Sequence, residues 1–455
     1  MNEEHIDYLK FCFLSEDGKP KGINHFKVFR AIKDSYHILI IGGTAFIYTN
    51  GVYLQDRSGA RLKSIIRGYI FPDFIKSPLI NNIYNLFLQD IELETNIDDC
   101  NLQPKHWVCF LNGFWDCINE RLEQHDPKYK CLNQIPHCFE CYKDISGAVT
   151  DKYLFETYPK ADDREMLLQY FFYSMTAETK FQKFMVISSI GGTGKSTMLN
   201  LFNAVIGDEN LSSISLDELS QKFASYGLVG KLCNVCADLD IDALSNASLL
   251  KQAIGEDRIR TEQKGHDALF CRSYAKMIFS TNELPLIKNE KSNAVYRRLL
   301  VLKIEKPPQV VDVDLSKKLI NEVDYFIQIL MQAGHRMYQK GCITVSEGSK
   351  QAVAQLWRDS DTTQAFLDEC CTVTGDKSDR VERGELFRDY ESYCEQFERQ
   401  KLTKNNFYKS LRVKGLFEGK SGDKRYFLGL KNAHSMCETR PDGFEKFLEN
   451  ECPFK

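Results

Sequence analysis

The stretch that decides the fold is Phe184-Met185-Val186-Ile187-Ser188-Ser189-Ile190-Gly191-Gly192-Thr193-Gly194-Lys195-Ser196-Thr197. An apolar run of strand length, a glycine-rich turn, then Met198, Leu199, Phe202 and Val205 at helical spacing predict strand, tight loop and helix. Each residue type answers a need of phosphate chemistry. Small residues let backbone N–H groups converge on phosphate oxygens, and the helix that follows adds its dipole. The predicted cradle is Ser189, Gly191, Gly192, Thr193, Gly194, Lys195, Ser196 and Thr197. Lys195 is spaced to reach terminal phosphates, and the Ser196 hydroxyl to ligate magnesium. Ser189 stands where the usual pattern has its first glycine, which predicts an altered turn with the site retained.

Downstream, Lys231 to Ala237 reads as a buried strand ending in Asp238, Leu239 and Asp240. Magnesium binding and water activation need an acid at the end of a strand adjacent to the loop. Asp238 is the first choice for the metal side and Asp240 for polarising the attacking water, and the two roles can be exchanged. Ala275 to Thr281 is a further strand that delivers Asn282 to its C-terminal edge, the location of ligand chemistry in open α/β sheets. Tyr296, Arg297 and Arg298 precede the strand-like Leu299 to Ile304; such arginines either flank a core or cross a subunit boundary toward a neighbour's nucleotide. Between these strands, Arg258 to Arg272 reads as a hairpin turning at Lys264-Gly265. Arg258, Arg260, Lys264 and His266 are its donors for a phosphate backbone, although a charged turn is usually only solvated.

With 455 residues, 43% of them hydrophobic, the chain has room for two or three cored domains. A formal charge of -4 leaves any polyanion contact to local patches. The polar start MNEEHIDYLK predicts no secretory segment, so the 16 cysteines read as reduced thiols of a cytosolic protein. No apolar stretch reaches the roughly 20 residues that span a bilayer. His37 to Tyr53 predicts strands around Gly42-Gly43 and a turn at Asn50-Gly51; Arg61 to Leu88 predicts one or two helices broken near Pro72 and Pro78. Cys131, His137, Cys138 and Cys141 invite a zinc reading through Cys138-x-x-Cys141, yet no second half stands at the expected distance. Cys233 and Cys236 lie inside a predicted strand and point to opposite faces, which rules out a shared ion.

Asp162 to Met175 predicts a helix leading into the loop strand, Leu211 to Phe223 a further helix, and Phe326 to Tyr338 a core-facing one. Beyond these, Thr363 to Cys370, Arg383 to Arg399 and the stretch from Lys401 read as helix, helix, helix, hairpin, the order of a winged-helix domain. Lys404, Lys409, Arg412 and Lys414 lie on its recognition segment, with Lys420, Lys424 and Arg425 at the wing. This most basic patch predicts contact with double-stranded or forked DNA, and a docking wing for protein is the competing reading.

Together these segments resemble a superfamily 3 helicase of the D5-like phage, plasmid and poxvirus-type primase-helicase family. SSIGGTGKST resembles its motif A, CADLD its motif B, GEDRIRTEQKG its hairpin, FSTNELP its motif C and AVYRRLLVL its arginine-finger segment; VCFLNGFWDC and EQHDP resemble the helicase-associated region upstream. The resemblance spans about residues 40 to 310. It implies an α/β fold: a P-loop, AAA+-like ATPase core over 151–335, an α+β helicase-associated domain over 1–150, a winged-helix-like domain over 355–430 and a tail over 431–455. It further implies ATP and Mg2+ as cofactors, with Lys195, Asp238, Asp240, Asn282 and Arg298 catalytic, Arg298 acting in trans beside Arg297. A homo-oligomeric, hexameric ring on single-stranded and forked DNA is implied, in the cytoplasm of a bacterial host. No membrane contact is implied. Gln263 stands where many relatives carry a basic residue beside Lys264. The primase module of many relatives has no place upstream, so a separate primase or replication initiator becomes an implied partner. The alternative reading is an ATP-dependent origin-binding initiator or helicase loader with little unwinding of its own.

Overall fold

The computed structural model describes residues 7–140, 145–219, 221, 223–237, 248–255, 257–262, 268–284, 294–307, 312–397 and 399–432. The chain opens with β1 (Cys12–Leu14), β2 (Pro20–Ile23) and α1 (His25–Ser35), then the meander β3 (Ile38–Ile41), β4 (Thr44–Thr49) and β5 (Val52–Gln55). Its turns use left-handed backbone at Gly42, Gly43, Asn50 and Gly51, as tight hairpin loops require. Helices α2 (Ala60–Gly68) and α3 (Ser77–Leu88) close over it through Ile32, Ile40, Ile47, Leu62, Ile83 and Phe87. Pro78 does not break α3. It sits in the first turn, where a missing N–H costs nothing.

A second small sheet, β6 (Trp107–Phe110), β7 (Gly113–Asp116) and β8 (Arg121–Glu123), belongs elsewhere. Its Val108, Phe110 and Trp115, with Ile135 and Phe139, share one core with the central region. Residues 107–139 are therefore packed as part of that region. Three buried asparagines and the half-buried Tyr274 fasten the seam: Asn101 Nδ2 donates to Asn133 Oδ1 (3.2 Å), Tyr274 Oη donates to the same oxygen (2.8 Å), and Asn133 Nδ2 donates to Asn210 Oδ1 (3.0 Å). A satisfied buried network of this kind fixes one docking geometry.

The central region runs α4 (Ala148–Thr157), α5 (Ala161–Ser174), β9 (Phe184–Ser189), α6 (Lys195–Ile206), β10 (Leu211–Ser212), α7 (Leu216–Leu219), β11 (Cys233–Cys236), α8 (Ser248–Ile254), β12 (Arg258–Thr261), β13 (Leu269–Arg272), β14 (Lys276–Thr281), β15 (Leu299–Ile304), α9 (Leu315–Asn321), α10 (Val323–Lys340) and α11 (Glu347–Ser360). Its five-stranded sheet has the order β10-β11-β14-β9-β15, and every pairing is parallel. The strands are near-continuous apolar runs because both faces are covered. Met185, Ile187, Cys233, Ile278, Leu300 and Leu302 face a core shared with α5, α6 and α10. Phe184, Val186, Cys236, Met277, Phe279 and Val301 face the other, under α8 and α11. Cys233 and Cys236 thus lie on opposite faces, as their spacing requires.

Leu211 to Phe223 forms β10 and the short α7 instead of the predicted single helix. The cause is Asn234, whose amide takes protons from Ser212 Oγ and Ile214 N–H and donates to the Ile214 carbonyl, holding that segment extended. The C-terminal unit follows α11, a helix that carries unbroken through residue 355. It contains α12 (Thr362–Cys370), β16 (Cys371–Val373), β17 (Arg380–Glu382), α13 (Arg383–Gln396), α14 (Lys404–Val413), β18 (Phe417–Ser421), β19 (Lys424–Leu428) and β20 (Leu430–Asn432), with a β17-β19-β18 sheet. The described cysteines are free thiols apart from Cys370, which is disulfide-bonded, so the expectation of uniformly reduced thiols fails there. None of the described helices is long and apolar enough to cross a membrane.

Where α10 crosses α5, a β-carbon on Gly334 would stand 2.4 Å from Phe172 Cδ2, and Phe172 is fully buried. Gly334→Val is expected to cost roughly 1–3 kcal/mol by overpacking. Urea unfolding would show this as a lower midpoint; an unchanged midpoint would mean the helices part freely.

Candidate nucleotide site

The glycine-rich loop leaves β9 after Ser189, which pairs with Ile304 on β15. Ser189 is buried and, unlike Gly192 (φ 78°) and Gly194 (φ 89°), is not among the positions with left-handed backbone. Serine therefore replaces glycine as an ordinary strand residue. Gly192 and Gly194 supply the reversals, and a β-carbon built on Gly191 or Gly192 would meet nothing within 4 Å, so the loop stands open.

Two cross-ties hold it. Thr193 Oγ1 donates to the Ile190 carbonyl at 3.1 Å, and Tyr153 Oη on α4 donates to the Gly194 carbonyl at 2.9 Å. Burial pushes the Tyr153 phenol well above its ordinary range, which keeps it a donor. Helix α6 starts at Lys195, so its first-turn N–H groups and positive dipole end face the loop. Lys195 Nζ donates to the Thr281 carbonyl at 2.9 Å and to Asn282 Oδ1 at 3.3 Å. Ser196 is exposed in the same turn, with Thr197 half-buried beside it. The loop, the helix start, Lys195 and Asn282 therefore meet at the C-terminal edge of β9 and β14, where backbone N–H groups and a cation can receive an anion.

The strand that precedes the acidic segment in sequence, β11, is not the neighbour of β9, contrary to the sequence expectation. β14 lies between them, so Asn282 stands beside the loop and the acidic segment follows one strand further on. Asp238 and Asp240 themselves lie outside the described residues. Arg297 and Arg298 end at the opposite edge of the sheet, because Leu299 pairs with Phe184, the first residue of β9. Across the 6 residues of β9 this is about 20 Å from the loop at about 3.3 Å per residue. Arg297 is exposed. Arg298 is half-buried, and its guanidinium donates to the Ala294 carbonyl at 2.9 Å and to Gln182 Oε1 at 2.8 Å.

The remaining candidates divide. Arg260 is exposed beside Glu262 at 3.0 Å, while Lys264 and His266 lie outside the described residues. In the C-terminal unit, Lys414 is committed to Asp361 (2.6 Å) and Gln364, Arg412 to Glu418 (2.8 Å), and Lys404 lies 5.7 Å over the Phe387 ring. Lys409 is exposed. Much of the basic character read from the sequence there is thus balanced within the unit. For the zinc reading, Cys131 is buried with its thiol on the Asn133 carbonyl, His137 Nε2 pairs with the Ala204 carbonyl at 2.9 Å, and Cys141 lies outside the described residues. Among the described residues no three His, Cys, Asp or Glu side chains are grouped to hold a metal.

A family model described as a family of unknown function (DUF5906) matches residues 186–298, from within β9 to Arg298. Among solved structures, the chain is similar in fold to the NrS-1 C-terminal region. The A form apo structure of that region gives a TM-score of 0.52 at 12% identity, covering 88% of this chain and 98% of that one. An apo structure of its residues 305–718 gives 0.50 at 12% identity, with 89% and 98% covered.

Sequence reasoning missed Tyr153, which stands 41 residues before Gly194 with no local signal. Removing its hydroxyl while keeping the ring leaves a loop carbonyl without its donor. Tyr153→Phe is expected to weaken binding of a fluorescent ATP analogue about fivefold, the scale of one hydrogen bond. Unaltered affinity in a well-folded variant would show that the tether does not shape the loop.

Proposed function

We propose that this chain is an ATP hydrolase of the superfamily 3 helicase type, a ring-forming motor on single-stranded DNA in replication of a phage or other mobile element. The observation that carries the reading is the convergence of the open Gly192/Gly194 loop, the start of α6, Lys195 and Asn282 at one sheet edge. Lys195 would exchange its Thr281 and Asn282 contacts for the β- and γ-phosphates, leaving the Asn282 amide to orient water or sense the γ-phosphate. Magnesium, held by Ser196 and the Asp238 carboxylate, would supply Lewis-acid charge neutralisation on the phosphates. Asp240 would align the attacking water, with the two acids interchangeable in role.

The paired arginines support a shared site. About 20 Å of strand separates them from the loop of their own subunit, so a nucleotide there would meet arginines of this kind only from a neighbouring subunit. Arg298 is the residue matched by motif, with Arg297 beside it, and it is held in place by bonds to Gln182 and Ala294. A homo-oligomeric, hexameric ring would bring one subunit's arginines to the next subunit's nucleotide. The fold likeness to the NrS-1 C-terminal region is compatible with this reading. The internal pairing of Lys414 and Arg412 weighs against the C-terminal unit as the main source of affinity, and so against the initiator or loader reading.

The test is magnesium-dependent ATP hydrolysis by the full chain without DNA, with single-stranded DNA and with a forked duplex, with strand separation followed in the same reaction. Hydrolysis stimulated by single strands and coupled to separation is expected, with Lys195→Ala lowering it at least about a hundredfold. Tight DNA binding without separation would move the chain to the loader class.

A further inference from the structure

The three-stranded sheet of the C-terminal unit has one face that the unit's own core does not use. In the order β17-β19-β18, Arg380 pairs with Leu428 and Glu382 with Tyr426; across β19, Leu428 pairs with Phe417 and Tyr426 with Gly419. Strand alternation puts these residues on one face and Val381, Phe427 and Glu418 on the other. The second face is closed, since Val381 and Phe427 are buried with Leu386 and Tyr390 of α13 and Phe407 and Leu411 of α14. The first stands open, with Phe417 71% exposed and Tyr426 and Leu428 half-buried. A β-carbon on Gly419 would come within 3.1 Å of Leu428 Cδ1, so this glycine leaves Leu428 room to lie across β18. The result is a flat apolar strip.

Cations border the strip. The Arg380 guanidinium lies 4.7 Å over the Tyr426 ring and meets no carboxylate among the described residues. Lys424, on the same face, reaches Glu382 at 3.0 Å in an exposed pair that is worth little in water. Gly429 then donates its N–H to the Asp379 carbonyl at 2.7 Å and β20 pairs with β16, so the described chain ends beside β17. Residues 433–455 follow, outside the described residues, and their sequence complements the open face. Phe444, Phe447 and Leu448 recur at helical spacing, and Asp442 with Glu445 has the spacing of a capping box. Residues 442–451 hold four acids, Asp442, Glu445, Glu449 and Glu451, against one base, Lys446.

We propose that residues 442–451 dock as an amphipathic helix on this open face of their own chain, with Phe444, Phe447 and Leu448 against Phe417, Tyr426 and Leu428, and the acids toward Arg380 and Lys424. Reach favours this occupant. The ten residues from Asn432 to Asp442 span about 33 Å when extended at about 3.3 Å each, against about 10 Å from β17 to β18 at about 4.8 Å per strand. A tethered segment also needs little intrinsic affinity, because its effective concentration is about millimolar. A second copy of the chain lacks that tether. Apolar Phe417 and Leu428 at the centre of the face suit an apolar stripe better than a phosphate backbone. Nothing in this contact depends on the nucleotide site.

The experiment uses the full-length chain with a benzophenone-bearing phenylalanine in place of Asn450, next to the docking side chains and not one of them. Irradiation of an equal mixture of isotopically light and heavy chains, followed by peptide mass spectrometry, shows where the segment lies and on which chain. Crosslinks from position 450 to residues 417–428 within one chain are expected. Phe417→Asp and Phe447→Asp should each lower their yield at least about fivefold, the scale of losing one anchor of a contact. An unchanged melting temperature for Phe417→Asp, expected of so exposed a side chain, excludes misfolding. Crosslinks to the sheet between light and heavy chains would overturn the proposal in favour of a second copy. Crosslinks elsewhere, none at all, or a yield that both substitutions leave unchanged would overturn it and leave the face to DNA or to another protein.

Discussion

β9 is hydrogen-bonded on both sides to parallel strands, with Ser188 opposite Thr281 of β14 and Phe184 opposite Leu299 of β15. This register decides which side chains can meet. Because all strands run the same way, their C-terminal ends gather at one edge, and the loop carrying Lys195 leaves there beside Asn282. The same register sends Arg297 and Arg298 to the far edge. Parallel pairing thus gathers the loop, Lys195 and Asn282 at one edge and carries the two arginines about 20 Å from them. The sheet keeps this register because both faces are sealed, by α5, α6 and α10 on one side and α8 and α11 on the other.

The loop itself is a local compromise between openness and order. Left-handed glycines at 192 and 194 leave its outer side free of side chains, while Thr193 and Tyr153 fix its carbonyls from within. Lys195, drawn to the Thr281 carbonyl and the Asn282 amide, waits at the place where an anion would compete for it. The N-terminal region joins this arrangement in two ways. Residues 107–139 complete the core under α5 and α6, and Asn101, Asn133, Asn210 and Tyr274 lock the seam. Asp98 and the cluster around Tyr53 brace the β12–β13 ribbon. Motion of the ribbon is thereby tied to the N-terminal meander as well as to the sheet.

Much of this was legible in the sequence wherever a requirement is local. Apolar runs of strand length, the Gly-Gly-Thr-Gly-Lys loop, and the alternation that separates Cys233 from Cys236 all read correctly, because period and backbone sterics act over a few residues. What stayed hidden depends on distant partners. Strand order placed β14 between β9 and β11, which no property of Lys231 to Asp238 signals. Asn234 turned a helical pattern at 211–223 into an extended segment by side-chain hydrogen bonds from a neighbouring strand. In the basic C-terminal stretch, spacing did not signal that Lys414 pairs with Asp361 and Arg412 with Glu418. The register that sets Phe270 opposite Arg260 likewise comes only from the strand pairing.

The central claim is that a working site combines Lys195 of one subunit with the arginines of the next. It is tested most directly by mixing Lys195→Ala chains with chains carrying both Arg297→Ala and Arg298→Ala, each inactive alone, under conditions that allow subunits to exchange. In an equal mixture about a quarter of the interfaces pair an intact lysine with an intact arginine by random assortment. ATP hydrolysis recovering toward that fraction is the expected result. Mixtures that stay as inactive as their parts, with exchange shown to occur, would contradict a site shared between subunits.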